Sequence, residues 1–339
     1  EMNPSSPNPT LIEVERIMTT DADHVRLDHD PRYGHGSAFI NGTYTDLDHA
    51  SVPITDMGLL QADACYDVVS VSKGQFFRLG DHLDRFESSC SKFRLRNPYS
   101  KVETAAVLTR LVQLTGARSA YVWWAVTRGD MPDKGSERGN PEAYENRLYA
   151  FVVPYVFIAG DEQRRRGLDL TVTRKYIRIP PQAVDPTAKN FHGMDTRLAL
   201  FDAHDRGADW CVLCDAQGNL AEAPGANIFV VQAGELFTPA AGCLEGMTRR
   251  TILDLAAELR IKTHCCDVPA EVLRSAEEAF LTSTAGGVMP VRSIDGVPVA
   301  GGSSIPITVK LHNLYWNKRW SGWLGTDIDY GTSPSPGTG

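Results

Sequence analysis

Two apolar runs early in the chain, Ser37–Tyr44 and Val68–Arg78, are each broken by a dipeptide ending in glycine, Asn41-Gly42 and Lys73-Gly74. Asn-Gly between apolar segments is the strongest short-range hairpin signal, because a tight two-residue turn needs positive φ at both of its positions. An antiparallel sheet therefore opens the fold. Asp81–Phe93, with Leu83, Phe86, Cys90 and Phe93, and Val102–Thr115, with Val107, Leu108, Leu111 and Leu114, have helical spacing, so two helices are expected to pack on that sheet. Strand-like runs at 120–127 and 147–156 complete a smaller α+β domain over 37–155.

Residues 156–166 read as a linker, and strands and helices alternate beyond it. Strands are expected over 168–175, 210–215, 227–232 and 278–283, and helices over 195–206, 248–259, 269–275 and 305–316. This describes a larger α/β domain spanning 167–330. Residues 1–36 are polar and read as an irregular arm, and 331–339, all Gly, Ser, Thr and Pro, as a mobile tail.

The 339 residues carry 34 Lys and Arg against 42 Asp and Glu, a net charge of -8 that offers no global positive field for nucleic acid. Arg164–Arg166 is the one dense basic run and reads as a solvated turn. Apolar stretches fall far short of the ~20 residues of a membrane span, so no membrane partner is expected. Seven cysteines make an odd, sparse set, which suits a reducing, cytoplasmic setting. Cys211 and Cys214 have the spacing of a redox or half-zinc motif, but no second pair follows, so structural cysteines and no metal site are expected. The opening residues lack a basic segment followed by an apolar one, so no secretory signal is read there.

Chemistry-bearing residues interrupt otherwise buried runs at five places. Lys189, between Ala188 and Phe191 in an extended stretch begun by Pro186, is either a desolvated amine able to attack a carbonyl or a surface lysine after a turn. Glu222, before the turn at Pro224-Gly225 that leads to Asn227, is either an acid holding a proton on a heterocyclic nitrogen or a turn cap. Gly246-Met247-Thr248 and Thr282-Ser283-Thr284-Ala285-Gly286 place hydroxyls and glycine at helix or turn entries, where free N–H groups favour a phosphate, although helix caps are commonly Ser or Thr. Arg78, directly after an aromatic strand, could add a charged contact to that phosphate. An amine, an acid, two hydroxyl-rich loops and an arginine are together what pyridoxal phosphate requires.

In order and spacing, Phe77-Arg78-Leu79-Gly80-Asp81-His82-Leu83-Asp84-Arg85, Asp185-Pro186-Thr187-Ala188-Lys189-Asn190, Glu222-x-x-Gly225-x-Asn227-Ile228, Gly246-Met247-Thr248-Arg249 and Thr284-Ala285-Gly286-Gly287 resemble the class IV, or fold type IV, pyridoxal-phosphate aminotransferases. The resemblance runs from about Ser37 to Trp316. It is nearest to the (R)-selective amine transaminases, through 58–68, Val126-Thr127-Arg128-Gly129, Val153-Pro154-Tyr155 and Ile305-Pro306-Ile307-Thr308. It implies the fold of D-amino-acid and branched-chain aminotransferases, pyridoxal 5′-phosphate as cofactor, and a homodimer. Lys189 then matches the Schiff-base lysine that shuttles the proton, and Glu222 the acid on the pyridine nitrogen. Arg78, Asn227, Met247, Thr248, Ser283 and Thr284 fall among the cofactor contacts.

The resemblance places the substrate pocket at Gln61, Tyr66, Tyr121, Trp123, Lys134, Arg138, Phe191, Gly193 and Ala285. Several of these depart from the (R)-amine pattern. Gln61 replaces a histidine, Gly193 a tryptophan, and Ala223-Pro224 a Gly-Ser or Gly-Thr. One of Trp123 and Trp124 should face the cleft by strand alternation. Lys134, with Arg138 beyond it, stands in the charged loop 130–140 where relatives carry a carboxylate-binding arginine. The implied reaction moves an amino group from a primary amine, with (R) selectivity, to a keto acid such as pyruvate. A D-amino-acid or branched-chain transaminase is the alternative, and a cofactor-binding homologue without turnover a remote one.

Overall fold

The computed structural model describes residues 11–12, 30–132, 137–302 and 304–331. Most of the expected arm and tail, and Lys134, lie outside them. The chain forms two compact units, one made of Glu15–Val156, Ala188–Phe191 and Gly322–Gly339, the other of Glu1–Val14, Phe157–Thr187 and His192–Ser321.

The first unit opens with the hairpin β1 (Ser37–Ile40) and β2 (Thr43–Asp46), turned through Asn41 and Gly42 at φ 49° and 79°. After the short helix α1 (Met57–Gln61) comes a second hairpin, β3 (Ala64–Ser72) and β4 (Gln75–Phe77), with Lys73 and Gly74 at φ 50° and 74°. Both turns expected from sequence are present, and both have the positive φ pair that a two-residue connection requires. Helix α2 (Leu79–Lys92) follows. Helix α3 (Lys101–Thr115) starts at a Ser100/Glu103 capping box and stops at Gly116, φ 67°, and strands β5 (Ala120–Thr127) and β6 (Arg147–Pro154) come next. The sheet runs Gly325–Asp327, β4, β3, β5, β6, β1, β2, antiparallel throughout. Val69, Val71, Phe86, Leu108, Leu111 and Trp124 share its core with the helices.

The second unit contains α4 (Asp161–Arg166), β7 (Leu168–Ile177), α5 (Met194–Asp205), β8 (Trp210–Cys214), β9 (Leu220–Glu222), β10 (Asn227–Gln232) and β11 (Glu235–Pro239). It continues with α6 (Met247–Glu258), β12 (Thr263–Cys266), α7 (Ala270–Arg274), β13 (Glu278–Ser283), β14 (Gly287–Ile294), β15 (Val297–Pro298) and α8 (Pro306–Trp320). The sheet order is β12, β11, β10, β13, β14, β7, β8, β9, with β15 on β14. Strand β7 is parallel to β8 and β14, and β11 to β12, so parallel and antiparallel pairs mix.

Strands β9, β11, β12, β14 and β15 are absent from the sequence reading. Gly287 and Pro290 disguise β14, and β12, Thr-His-Cys-Cys, is an edge strand with little apolar signal. The basic run is not a solvated turn. Arg164 lies over the Phe157 ring at 3.3 Å and pairs with Asp161, while Arg166 reaches Asp169 and Asp209. The chain passes between units at Val156/Phe157, and residues 188–191 return to the first unit: Asn190 bridges Cys65, and Tyr66 donates its N–H to the Lys189 carbonyl at 2.9 Å.

Cys211 and Cys214 are buried in different clusters on β8, and burial pushes their thiols up to about 12 and about 11, as suits inert structural cysteines. Among the described residues no helix is long and apolar enough to cross a membrane.

Candidate active site

In the first unit, chemistry gathers around Lys189. Its main chain is held from two sides, the carbonyl by the Tyr66 N–H of β3 and the N–H by Ser89 Oγ of α2 at 3.0 Å. Its half-buried side chain is left to extend over the Tyr66 ring, with Nζ 4.3 Å from the centroid. Tyr66 belongs to an aromatic wall. Phe191 meets it edge-on at 5.6 Å, Trp123 lies at 6.0 Å from Tyr66 and 6.1 Å from Phe191, and Phe151 stacks on Trp123 at 5.1 Å. Tyr121 continues the wall beside Phe151, and burial holds its phenol above the usual range. Strand alternation separates the two tryptophans as expected: Trp123 joins the wall, and Trp124 is buried behind the sheet against Phe86.

Helix α2 supplies a charged group on the same unit. Arg78 occupies its N-cap at φ 56° and donates Nε to Asp81 Oδ2 at 2.6 Å. Arg85 binds the fully buried Asp67 through Nε at 2.9 Å and Nη2 at 2.7 Å, and His82 Nδ1 lies 2.8 Å from the same carboxylate. Burial alone would raise the Asp67 pKa, but Arg85 and His82 outweigh it and hold the carboxyl well below its usual range. His82 is pushed down by burial, which outweighs the opposing pull of Asp67 and is helped by the nearby cations of Arg85 and Lys189, and its Nδ1 donates to the Asp67 carboxylate. The sequence reading gives no role to Asp67, His82, Arg85 or Ser89, although His82 and Arg85 stand in the first of its family motifs. The available signal is the spacing of His82, Arg85 and Ser89 along the apolar face of an amphipathic helix.

Gln61 is exposed at the end of α1, and Arg138 is exposed with its carbonyl accepting from the Tyr144 hydroxyl at 2.9 Å. Lys134 lies outside the described residues.

In the second unit, Glu222 ends β9 with both oxygens engaged. Oε1 accepts from Arg178 Nε at 2.8 Å and Oε2 from the Leu244 N–H at 3.1 Å. Arg178 also donates Nη1 to Asp195 Oδ2 at 2.6 Å, and that oxygen accepts the Ile179 N–H at 2.7 Å. Burial opposes the guanidinium charge, yet the two carboxylates outweigh it and raise the Arg178 pKa, so Arg178 stays charged.

The glycine- and hydroxyl-rich segments lie on α6 and β13, which pack together. Helix α6 starts at Gly246 with no side-chain cap, leaving first-turn N–H groups at Met247 and Thr248 without that partner. A Cβ at Gly246 would run into Asn227 Oδ1, while Asn227 Nδ2 donates to the Leu244 carbonyl at 2.8 Å, so this side chain shapes the approach to the helix. Asn227 pairs in register with Thr282, whose buried Oγ1 has no hydrogen-bond partner. Ser283 Oγ accepts the Ala285 N–H at 3.2 Å, and Ala285 is buried. An uncapped helix start, an orphaned hydroxyl and a glycine whose Cβ would have to displace the Asn227 side chain suit an anionic group such as a phosphate. Gly193, at the start of α5, is different: its φ is -151° and a Cβ would meet only Thr196 Oγ1 at 3.5 Å, so the backbone does not demand glycine there.

Comparison with known proteins agrees with this chemistry. The family model described as amino-transferase class IV matches residues 64–294. A D-alanine aminotransferase of Listeria monocytogenes is 31% identical over 278 residues, covering 81% of this chain and 93% of the relative. The branched-chain-amino-acid aminotransferase of Pseudomonas aeruginosa is 30% identical over 267 residues, covering 77% and 83%. Among solved structures, a branched-chain amino acid aminotransferase from T.th., with pyridoxamine 5′-phosphate, has a TM-score of 0.78 at 25% identity, covering 87% of this chain and 99% of that one.

Proposed function

The chain belongs to the class IV aminotransferases, enzymes of fold type IV that use pyridoxal 5′-phosphate, and we propose that within this family it takes its amino group from an (R)-configured primary amine and gives it to a keto acid such as pyruvate. The observation that carries the donor reading is the wall of Tyr66, Trp123, Phe191 and Phe151 beside the Lys189 amine, an apolar aromatic surface suited to an arylalkyl group. The names of the relatives favour a second reading, a D-amino-acid or branched-chain amino-acid donor.

The cofactor, when bound, supplies an electron sink that makes the donor's amine-bearing carbon acidic. Lys189 would hold the cofactor covalently, and its Nζ is the group that would take the proton from that carbon as general base. Glu222, which Arg178 Nε binds at 2.8 Å, would accept a hydrogen bond from the cofactor's ring nitrogen. The phosphate would be held by the first-turn N–H groups at Met247 and Thr248 and by the hydroxyls of Thr282 and Thr284, with Arg78 the arginine that the motif implies. Asn227 and Ser283 shape the loops around it. Tyr121 in the first unit and Gly193 and Ala285 in the second are further substrate-site candidates in this reading, and Gln61, Lys134 and Arg138 are candidates for the keto-acid end. A homodimer suits the apolar face that α5 exposes through Met194, Leu198 and Phe201.

Absorbance spectra of the purified protein with (R)- and (S)-1-phenylethylamine, beside Lys189→Ala, test the reading. Conversion of the cofactor's visible band by the (R) amine alone supports it. Conversion only by D-alanine or L-leucine replaces it with the second reading.

A further inference from the structure

We propose that the buried polar stripe of α2 is a positioning cradle for Lys189: His82, Arg85 and Ser89, with Asp67 on the facing strand, lock α2 to β3, and the two elements together grip the lysine's main chain. The proposal rests on the reading of Lys189 as the cofactor lysine.

His82, Arg85 and Ser89 recur at i, i+3 and i+7, which puts them on one face of the helix. That face is buried. His82 and Ser89 are 1% and 0% exposed, among Leu79, Leu83, Phe86 and Cys90. Burying polar groups and a carboxylate in such a place is unfavourable unless each is bonded, and apolar residues of similar volume would hold a helix on a sheet as well. Here Asp67 is bonded throughout. Oδ1 accepts from the Val68 N–H at 2.7 Å, His82 Nδ1 at 2.8 Å and Arg85 Nη2 at 2.7 Å, and Oδ2 from Arg85 Nε at 2.9 Å. The ring and the guanidinium of α2 are thereby fixed to one residue of β3.

Two turns further along the helix, the stripe reaches the lysine. Ser89 Oγ accepts the Lys189 N–H at 3.0 Å, while the Tyr66 N–H, next to Asp67 on β3, donates to the Lys189 carbonyl at 2.9 Å. Each main-chain polar group of Lys189 is thus held by a different element. A slide of α2 along β3 would break one bond or the other, and the Asp67 lock prevents that slide. Ser89 is itself anchored, its carbonyl accepting from Cys65 Sγ at 3.4 Å and from the Phe93 N–H at 3.2 Å. The lysine backbone is fixed and only its amine, over Tyr66, is left to move.

The test is borohydride trapping of the cofactor at increasing pyridoxal 5′-phosphate, with peptide mass mapping to identify the modified lysine, in the full-length wild type, Ser89→Ala, Ser89→Thr and Asp67→Asn, together with the thermal midpoint of each apo form. Ser89→Ala should raise the half-saturating concentration about ten-fold, the effect of leaving one buried N–H unpaired. Ser89→Thr, which keeps the hydroxyl, should restore it, and Asp67→Asn should act in the same direction as Ser89→Ala. Undiminished trapping at Lys189 in both Ser89→Ala and Asp67→Asn overturns the cradle. So does a loss in Ser89→Ala that Ser89→Thr does not restore and that tracks the thermal midpoint, since Ser89 is then merely structural. Trapping at a different lysine in the wild type overturns the reading of Lys189 itself.

Discussion

Arg178 donates Nε to Glu222 Oε1 at 2.8 Å and, through Nη1, binds Asp195 Oδ2 at 2.6 Å, so one guanidinium holds two carboxylates of the second unit. Removing it leaves both acids without their cation in a largely buried setting. Arg178→Met should therefore destabilise the protein by about 3 kcal/mol, the scale of breaking a buried ion pair from one side. Denaturant unfolding at neutral pH measures this, and a change near zero would show that water replaces the guanidinium.

The Asp67 network sets an acid limit on stability. The folded pKa of His82 lies below its unfolded value of about 6.5, so the unfolded chain binds the extra proton first and stability falls as pH drops below that value. The folded pKa of Asp67 is also depressed, so its contribution is complete above about 4 and is lost as pH falls from there toward the folded value. Unfolding free energy should decline in two stages, and His82→Asn should flatten the first while leaving the second. A wild-type profile flat from pH 7 to pH 5 contradicts the His82 contribution.

The parts of this site readable in sequence are those in which one short segment holds its own signal. Asn41-Gly42 and Lys73-Gly74 mark their turns because the conformation they need is local. Lys189 and Glu222 stand out because each interrupts a buried run. Their partners do not. Arg178 is 44 residues from Glu222, Ser89 100 residues from Lys189, and Arg85 18 residues from Asp67, and no local pattern links such pairs. The assignment of 188–191 to the first unit is hidden for the same reason, since it depends on pairing with the edge of β3.

The thiols separate by exposure. Cys265 is exposed, whereas burial pushes Cys211, Cys214 and Cys243 up to about 12, 11 and 12. Iodoacetamide at pH 8 should modify Cys265 in the native protein well before these three, which should react only after unfolding. Rapid native labelling of Cys211 together with Cys214 would revive a redox role for that pair.

Met194, Leu198 and Phe201 lie at i, i+4 and i+7 on α5 and are 68%, 38% and 61% exposed, a stripe that water covers poorly. A second copy of the chain is the proposed occupant. Phe201→Glu should shift the protein from dimer to monomer in sedimentation velocity, with the far-ultraviolet circular dichroism spectrum unchanged. A wild type that sediments as a monomer at micromolar concentration removes this assignment.

Gly246 tests the anion cradle with the least chemical change. Its added methyl group would collide with Asn227 Oδ1, and Asn227 Nδ2 supports the Leu244 carbonyl, while the Leu244 N–H supports Glu222 Oε2. Gly246→Ala therefore strains the start of α6 and the Glu222 hydrogen bond together. Overpacking of this kind costs about 1–3 kcal/mol, or roughly ten-fold and more in an equilibrium constant. The affinity of the apo protein for pyridoxal 5′-phosphate should fall by at least about that factor, more than the thermal midpoint alone would account for. The double variant Gly246→Ala/Asn227→Ala removes the collision but leaves the Leu244 carbonyl without its donor, so it should recover only part of the affinity. Full recovery would mean that Asn227 only fills space, and no loss in Gly246→Ala would place the phosphate away from α6.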